Sequence, residues 1–248
     1  LHPMIQEVAV DETRPSVNNS AVLFDSLQTI CLYHGRDVTW YKQLFLTIEN
    51  IIRQSTDDTT PAYLSFLENV FPYMEKYHYT NGMNAVLGKL SELLTDETVG
   101  RSTDRAVLLD YRAACEEKTE KAIKLEKEAI ALIPEISEEN AHLVSNLYSN
   151  LGGLYKKAGK RDLAQQAMEQ GLRILEQYDL LYYHDSIAQT ANYAVLLTEM
   201  GQPERGLSAL KKLSRMIRDL NSDQTIDYAT VQEAMGGICL AAGDIRQA

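Results

Sequence analysis

From residue 141 onward the chain repeats itself every 42 residues, and this period limits its fold more than any other feature. Gly159, Gly201 and Gly243 fall at equal intervals, and their neighbours keep register. Leu151, Tyr193 and Met235 are equivalent, as are Gly152, Ala194 and Gly236, then Tyr155, Leu197 and Cys239. Ala164, Gly206 and Ala248 match further on, and Met168 matches Leu210. A repeat of this length marks a solenoid, in which one unit cannot bury its own apolar face and must stack on the next.

Each unit reads as two helices. Leu147, Leu151, Leu154, Tyr155 and Ala158 recur at helical spacing and make one apolar stripe. Gly159 ends that helix, because glycine accepts the left-handed backbone of a C-terminal cap. The polar turn Lys160, Arg161, Asp162 leads into a second helix with Ala164, Ala167, Met168, Leu172 and Leu175 on one face. Small residues at Gly152, Ala164 and Gly171 let the two antiparallel helices approach closely. In the next unit Pro203 stands just inside the start of the second helix, where a missing N–H does no harm. No segment alternates with period two, so the expected class is all-α, built of stacked helix hairpins.

The order Leu151-Gly152-x-x-Tyr155, then Gly159, Ala164 and Met168, resembles the tetratricopeptide repeat (TPR) family, in a variant with longer helices. The resemblance covers 141–219 and the half-unit 223–248, and it implies a right-handed α-α superhelix. Thr190 and Gln232 depart from the pattern, standing where the family has a large residue near the start of the first helix.

Upstream, the helical pattern continues without glycine punctuation. Polar residues over 11–19 read as a linker, and apolar stripes predict helices over 21–33, 38–54, 61–77 and 81–94. Stepping back one period from the clear unit places Leu109 at Leu151, Ala122 at Ala164 and Ala129 at Gly171. Glu117 holds the place of the turn glycine, which leaves either a hairpin or one long bent helix over 103–133. The expected organisation is a remnant of a preceding module plus linker over 1–19, divergent hairpins over 20–100, and TPR-like repeats over 101–248, the last cut short. Both ends fall in mid-pattern, so the sequence is expected to be part of a longer chain.

The opening Leu1-His2-Pro3 resembles the end of the winged-helix module in signal-transducing ATPases of the NB-ARC (STAND) type, where a Met-His-Asp motif meets the nucleotide. Leu1 and Pro3 depart from that motif. The resemblance implies a nucleotide-sensing role for His2 in the parent protein, and the nucleotide-binding domain of that parent as a partner. The chain itself carries no phosphate loop of the G-x-x-x-x-G-K-[ST] type, so it is not expected to hydrolyse nucleotide.

Charge and cysteine usage narrow the classes further. The net charge is −11, and residues 1–100 hold 6 Lys and Arg against 13 Asp and Glu, which speaks against a nucleic-acid surface. Cys31, Cys115 and Cys239 are far apart with no CxxC or His-rich spacing, so neither a disulfide framework nor a zinc site is expected. No run of 18 apolar residues occurs, hence no membrane span, and a reducing cytoplasm fits best. No catalytic motif, metal-ligand pattern or cofactor signature is present. His34, His78, His142 and His184 read as helix-end or surface residues. Tyr73, Tyr77, Tyr79, Tyr182 and Tyr183 suit either helix packing or an interface.

The candidate binding residues are amides. Asn150 and Asn192 are equivalent by the repeat, and Asn146 lies one turn before Asn150. A carboxamide offers both donor and acceptor, which matches the backbone of an extended peptide. In the resembling family, first helices line the concave face, and asparagines at this helix position hold peptide backbone. Lys157, later on the same helix, is placed to meet a carboxylate, but Ala188, Glu199 and Ala241 stand where a full carboxylate clamp would place charge. The sequence therefore points to a protein- or peptide-binding scaffold or sensor within a STAND-type regulator. The alternative is the peptide-pheromone-binding domain of a TPR transcriptional regulator.

Overall fold

The computed structural model describes residues 38–54, 61–181, 184–220 and 226–243. These form α-helices and no strand. The expectations for the 11–19 linker, the 21–33 helix, His2, Cys31 and His34 lie outside the described residues. The chain divides into two compact units, 1–111 and 112–248.

The first unit contains α1 (Val38–Gln54), α2 (Pro61–Lys76), α3 (Thr80–Leu93) and most of α4 (Ser102–Cys115). One core joins them: Phe45 and Ile48 from α1, Leu67 and Phe71 from α2, Val86 and Leu90 from α3, and Leu108 from α4. The tyrosines expected either to pack or to bind are used for packing here. Tyr77 stacks on Tyr41 at 4.3 Å between centroids, and the Tyr79 hydroxyl donates to Glu49 Oε2 at 2.6 Å. Tyr182 and Tyr183 lie outside the described residues.

Helix α2 carries Pro72 in its interior, which should break it. Proline has no N–H to offer the carbonyl four residues back, here that of Glu68. The Tyr111 hydroxyl, reaching from α4, donates to that same carbonyl. The Tyr111 ring stacks on Phe71 at 3.9 Å with the planes 7° apart. One side chain thus replaces the missing backbone donor and packs beside it, so the helix continues past the proline.

The missing punctuation of the first unit also has a physical answer. His78 adopts φ 54°, the left-handed conformation that glycine supplies in the repeats. Its N–H bonds the Glu75 carbonyl at 2.9 Å, and the Tyr79 N–H reaches back to Met74 at 2.8 Å. This is the same pair of closing bonds that Gly159 and Lys160 make to Lys156 and Tyr155 at 3.0 and 2.9 Å.

The second unit holds α5 (Thr119–Ala131), α6 (Ala141–Lys157), α7 (Arg161–Gln177), α8 (His184–Glu199), α9 (Pro203–Asp219) and α10 (Ile226–Ala241). Residues 103–133 are two helices rather than one bent helix: Cys115 ends α4, and extended Lys118 starts α5 by accepting the Ala122 N–H at 3.0 Å. The glycines at 159, 201 and 243 take φ of 73°, 77° and 79°, as the repeat requires. Apolar clusters alternate along the stack. Ile123, Leu151 and Ala167 join α5, α6 and α7; Ala164, Met168, Tyr193 and Leu197 join α7 to α8; Leu210, Leu213, Val231 and Ile238 extend the core through α9 to α10.

Candidate functional site

The first helices of successive units, α6, α8 and α10, lie side by side. A buried polar bridge fixes α6 against α8. Ser145 Oγ lies 2.8 Å from Gln189 Oε1 and 3.1 Å from the Gly171 carbonyl, so its single proton serves one of two acceptors. The Gln189 amide donates to Asn146 Oδ1 at 2.5 Å, and Asn146 Nδ2 lies 3.4 Å from His142 Nδ1. Further along, Lys156 Nζ pairs with Glu199 Oε1 at 2.8 Å.

The repeat places equivalent residues of these helices in three rows. The first row is Asn150, Asn192 and Ala234; the second is Gly153, Val195 and Gly237; the third is Lys157, Glu199 and Ala241. Asn150, Asn192, Gly153, Gly237 and Lys157 are exposed, and Val195 is 39% exposed despite being apolar. A methyl group added at Gly153 or Gly237 would meet nothing within 4 Å. The middle row is therefore a bare floor on either side of one apolar side chain. Lys157 makes no ion pair among the described residues, whereas Glu199 is engaged by Lys156.

The structure places the sequence candidates differently from one another. Asn150, Asn192 and Lys157 are on the open surface. Asn146 is half-buried, with its amide joined to Gln189 on one side and His142 on the other. Sequence reasoning missed Gln189 and Ser145, because neither repeats: their equivalents at 231 and 187 are Val231 and Ile187. It missed Val195 for a related reason, since an apolar residue inside a helix reads as core.

A second node was also invisible to the pattern. Glu169 Oε1 on α7 receives Gln165 at 2.8 Å, the Tyr193 hydroxyl of α8 at 2.6 Å and Arg205 of α9 at 3.1 Å. Burial pushes the Glu169 carboxyl up, but these donors outweigh it and hold its pKa below the usual value. Tyr193 is the equivalent of Leu151 and Met235, so its hydroxyl breaks the repeat in order to tie three helices together.

Strongly shifted carboxyls occur in the first unit instead. Glu68 is pushed up to about 8 by burial and by the neighbouring Asp104, and its Oε1 is buried without a hydrogen-bond partner. Glu75 is raised by burial and then by Asp110. Asp104 itself accepts the Arg101 N–H and so caps the start of α4. Both acid pairs lie where α2 meets α4. Among the described residues no group of three or more His, Cys, Asp and Glu is placed to hold a metal ion. No described helix is long and apolar enough to cross a membrane.

No family model and no curated protein matches the sequence. Among solved structures, the chain is similar to the nearly identical TPR-like repeats of a Podosopora anserina protein assigned to the kinesin light chains. That likeness has a TM-score of 0.58 at 13% identity and covers 76% of this chain and 90% of that one. BtubC (BKLC) from P. vanneervenii aligns at 19% identity with a TM-score of 0.44, covering 75% of this chain and 84% of that one. At 13% identity the first of these likenesses shows the fold alone: a TPR-like helical repeat.

Proposed function

We propose that this chain is a protein- or peptide-binding TPR scaffold, the sensor region of a larger regulatory protein of the STAND type. The observation that carries it is the exposed surface over α6, α8 and α10, with amides in one row beside a floor that is bare except for Val195. An extended segment laid across the three helices would meet Asn150 and Asn192 with its backbone and Val195 with an apolar side chain. Lys157 would take a carboxylate. The Ser145–Gln189–Asn146 bridge sets the spacing between the α6 and α8 ridges, so the surface is formed before the ligand arrives and little ordering entropy is lost on binding. Asn146 enters the site through that bridge. The resemblance at His2 supports a nucleotide-binding domain of the parent chain as one partner, in a reducing cytoplasm; no cofactor is required.

The test is a phage-display peptide selection on the immobilised chain, followed by titration of the recovered peptides. Asn150→Ala with Asn192→Ala is expected to weaken binding about tenfold, the loss of one or two backbone hydrogen bonds, with the melting temperature nearly unchanged. Equal loss of folding and binding would make the two asparagines structural and sink the assignment.

A further inference from the structure

A second surface lies on the other helices of the same repeats. Between α7 and α9 there is a cavity of ≈ 130 Å³ walled by Leu172, Leu181, Ala209, Leu213 and Met216. Thr190 of α8 contributes the one hydroxyl, and that group is already spent on the Ser186 carbonyl at 2.9 Å. The repeat explains why the space exists. One period earlier Tyr148 stands in register with Thr190, and it packs against the cluster of Ile123, Leu151 and Ala167, on which Ile130 also packs; Ile130 and Ala167 are the equivalents of Leu172 and Ala209. A ring fills the earlier position, and a threonine leaves the later one hollow. For scale, an apolar cavity of about 150 Å³ takes a benzene-sized guest, so this one fits a single leucine-, methionine- or phenylalanine-sized side chain.

The mouth of the cavity is charged. Glu176 and Lys212 pair across it and are both more than half exposed. Lys211 and Arg215 flank Lys212 on the exposed face of α9 and make no ion pair among the described residues. In a chain of net charge −11, α9 alone carries five basic residues against two acidic ones, Glu204 and Asp219 at its ends. An apolar socket beside a cationic ridge on an otherwise acidic protein selects a ligand that is anionic and carries one apolar anchor.

We propose that the α7–α9 face is a second docking site, which receives an acidic protein segment by inserting one large apolar side chain into the hollow left by Thr190 while Lys211 and Arg215 hold flanking carboxylates. A nucleic acid would meet the ridge and leave the socket empty. The site is separate from the row of Asn150 and Asn192 and does not depend on the function assigned to it.

The probe is a fluorescein-labelled peptide, Glu-Asp-Glu-Leu-Glu-Asp-Glu, titrated by anisotropy against the full 248-residue chain at low salt. Saturable binding is expected. It should weaken about tenfold or more when the leucine is replaced by alanine, the loss of one buried aliphatic side chain. Thr190→Tyr, which copies the earlier register, should produce the same loss from the protein side with the helical circular dichroism retained. Lys211→Glu with Arg215→Glu should also weaken binding about tenfold, and added salt should weaken the parent complex. Should Thr190→Tyr fail to fold, Ala209→Leu fills the same space and reads the same effect. The proposal is overturned by absence of saturable binding, by equal affinity for the leucine and alanine peptides, or by indifference to both cavity-filling variants. It is also overturned if Asn150→Ala with Asn192→Ala abolishes this peptide's binding while Thr190→Tyr does not. Co-sedimentation with phosphatidylserine vesicles that Thr190→Tyr abolishes, in place of peptide binding, would assign the socket to an acyl chain and refute it.

Discussion

Gly206 and Gly153 are both helical glycines of the second unit, and the same substitution should move stability in opposite directions at the two. A methyl group built on Gly206 lands 2.7 Å from the Ala194 carbonyl oxygen and 3.2 and 3.3 Å from its Cα and carbonyl carbon. The struck atoms are main chain within α8, so no side-chain rotation relieves the clash, and α8 and α9 must separate by several tenths of an ångström. Overpacking of this kind costs about 1–3 kcal/mol, and a backbone obstacle places it in the upper half of that range. Alanine returns about 1 kcal/mol of helix propensity. Gly206→Ala is therefore expected to destabilise by about 1–2 kcal/mol. Gly153→Ala meets open space, keeps only the propensity gain and should stabilise by about 0.5–1 kcal/mol. Urea unfolding followed by far-UV circular dichroism measures both, and thermal melts should move by about 2–4 °C per kcal/mol. If Gly206→Ala is as stable as the parent, the close approach of α8 and α9 does not limit this repeat and the packing argument fails.

Tyr111→Phe keeps the stack on Phe71 but leaves the Glu68 carbonyl without a donor, so it should cost about 1–3 kcal/mol; Tyr111→Phe combined with Pro72→Ala, which restores an N–H, should recover most of that loss. Glu68 is raised from 4.5 to about 8 in the folded chain, so the native state holds one more proton than the unfolded state between those values. Its contribution is most favourable below pH 4.5 and is lost as pH rises to 8, an upper bound of a few kcal/mol. Glu68→Gln should remove that part of the pH profile in urea melts and should be the more stable protein at alkaline pH; an unchanged profile would contradict the shift. Glu169 shows the opposite sign: its lowered pKa adds stability at neutral pH that fades as pH falls through the folded value. Tyr193→Phe removes one of its three donors, should cost about 1 kcal/mol, and should shift the acid unfolding midpoint upward.

The fold was largely legible because the repeat is local information. Glycines every 42 residues mark where helices end, the apolar stripes mark which faces pack, and both arise from backbone sterics and helical spacing within a few turns. The candidate surface was half legible. Asn150 and Asn192 follow from counting one period, and both are exposed. That Asn146 is tied to Gln189 could not be counted, since the bond joins residues 43 apart and depends on how closely α6 and α8 lie. The left-handed turn at His78 was hidden too, because the residue there is not the one that makes such turns cheap.

The sequence by itself determined that the chain is helical, where the repeats turn, and which small residues let paired helices meet. Tertiary structure decided what each departure from the repeat does. Thr190 in place of a ring opens a cavity, Tyr193 in place of Leu151 gains a partner on a neighbouring helix, and Tyr111 makes Pro72 harmless from 39 residues away. The physical reason is range. Helix punctuation is fixed by a residue's own backbone and its nearest turn, whereas cavities and hydrogen-bond partners belong to pairs of helices, and their geometry exists only once the helices are packed.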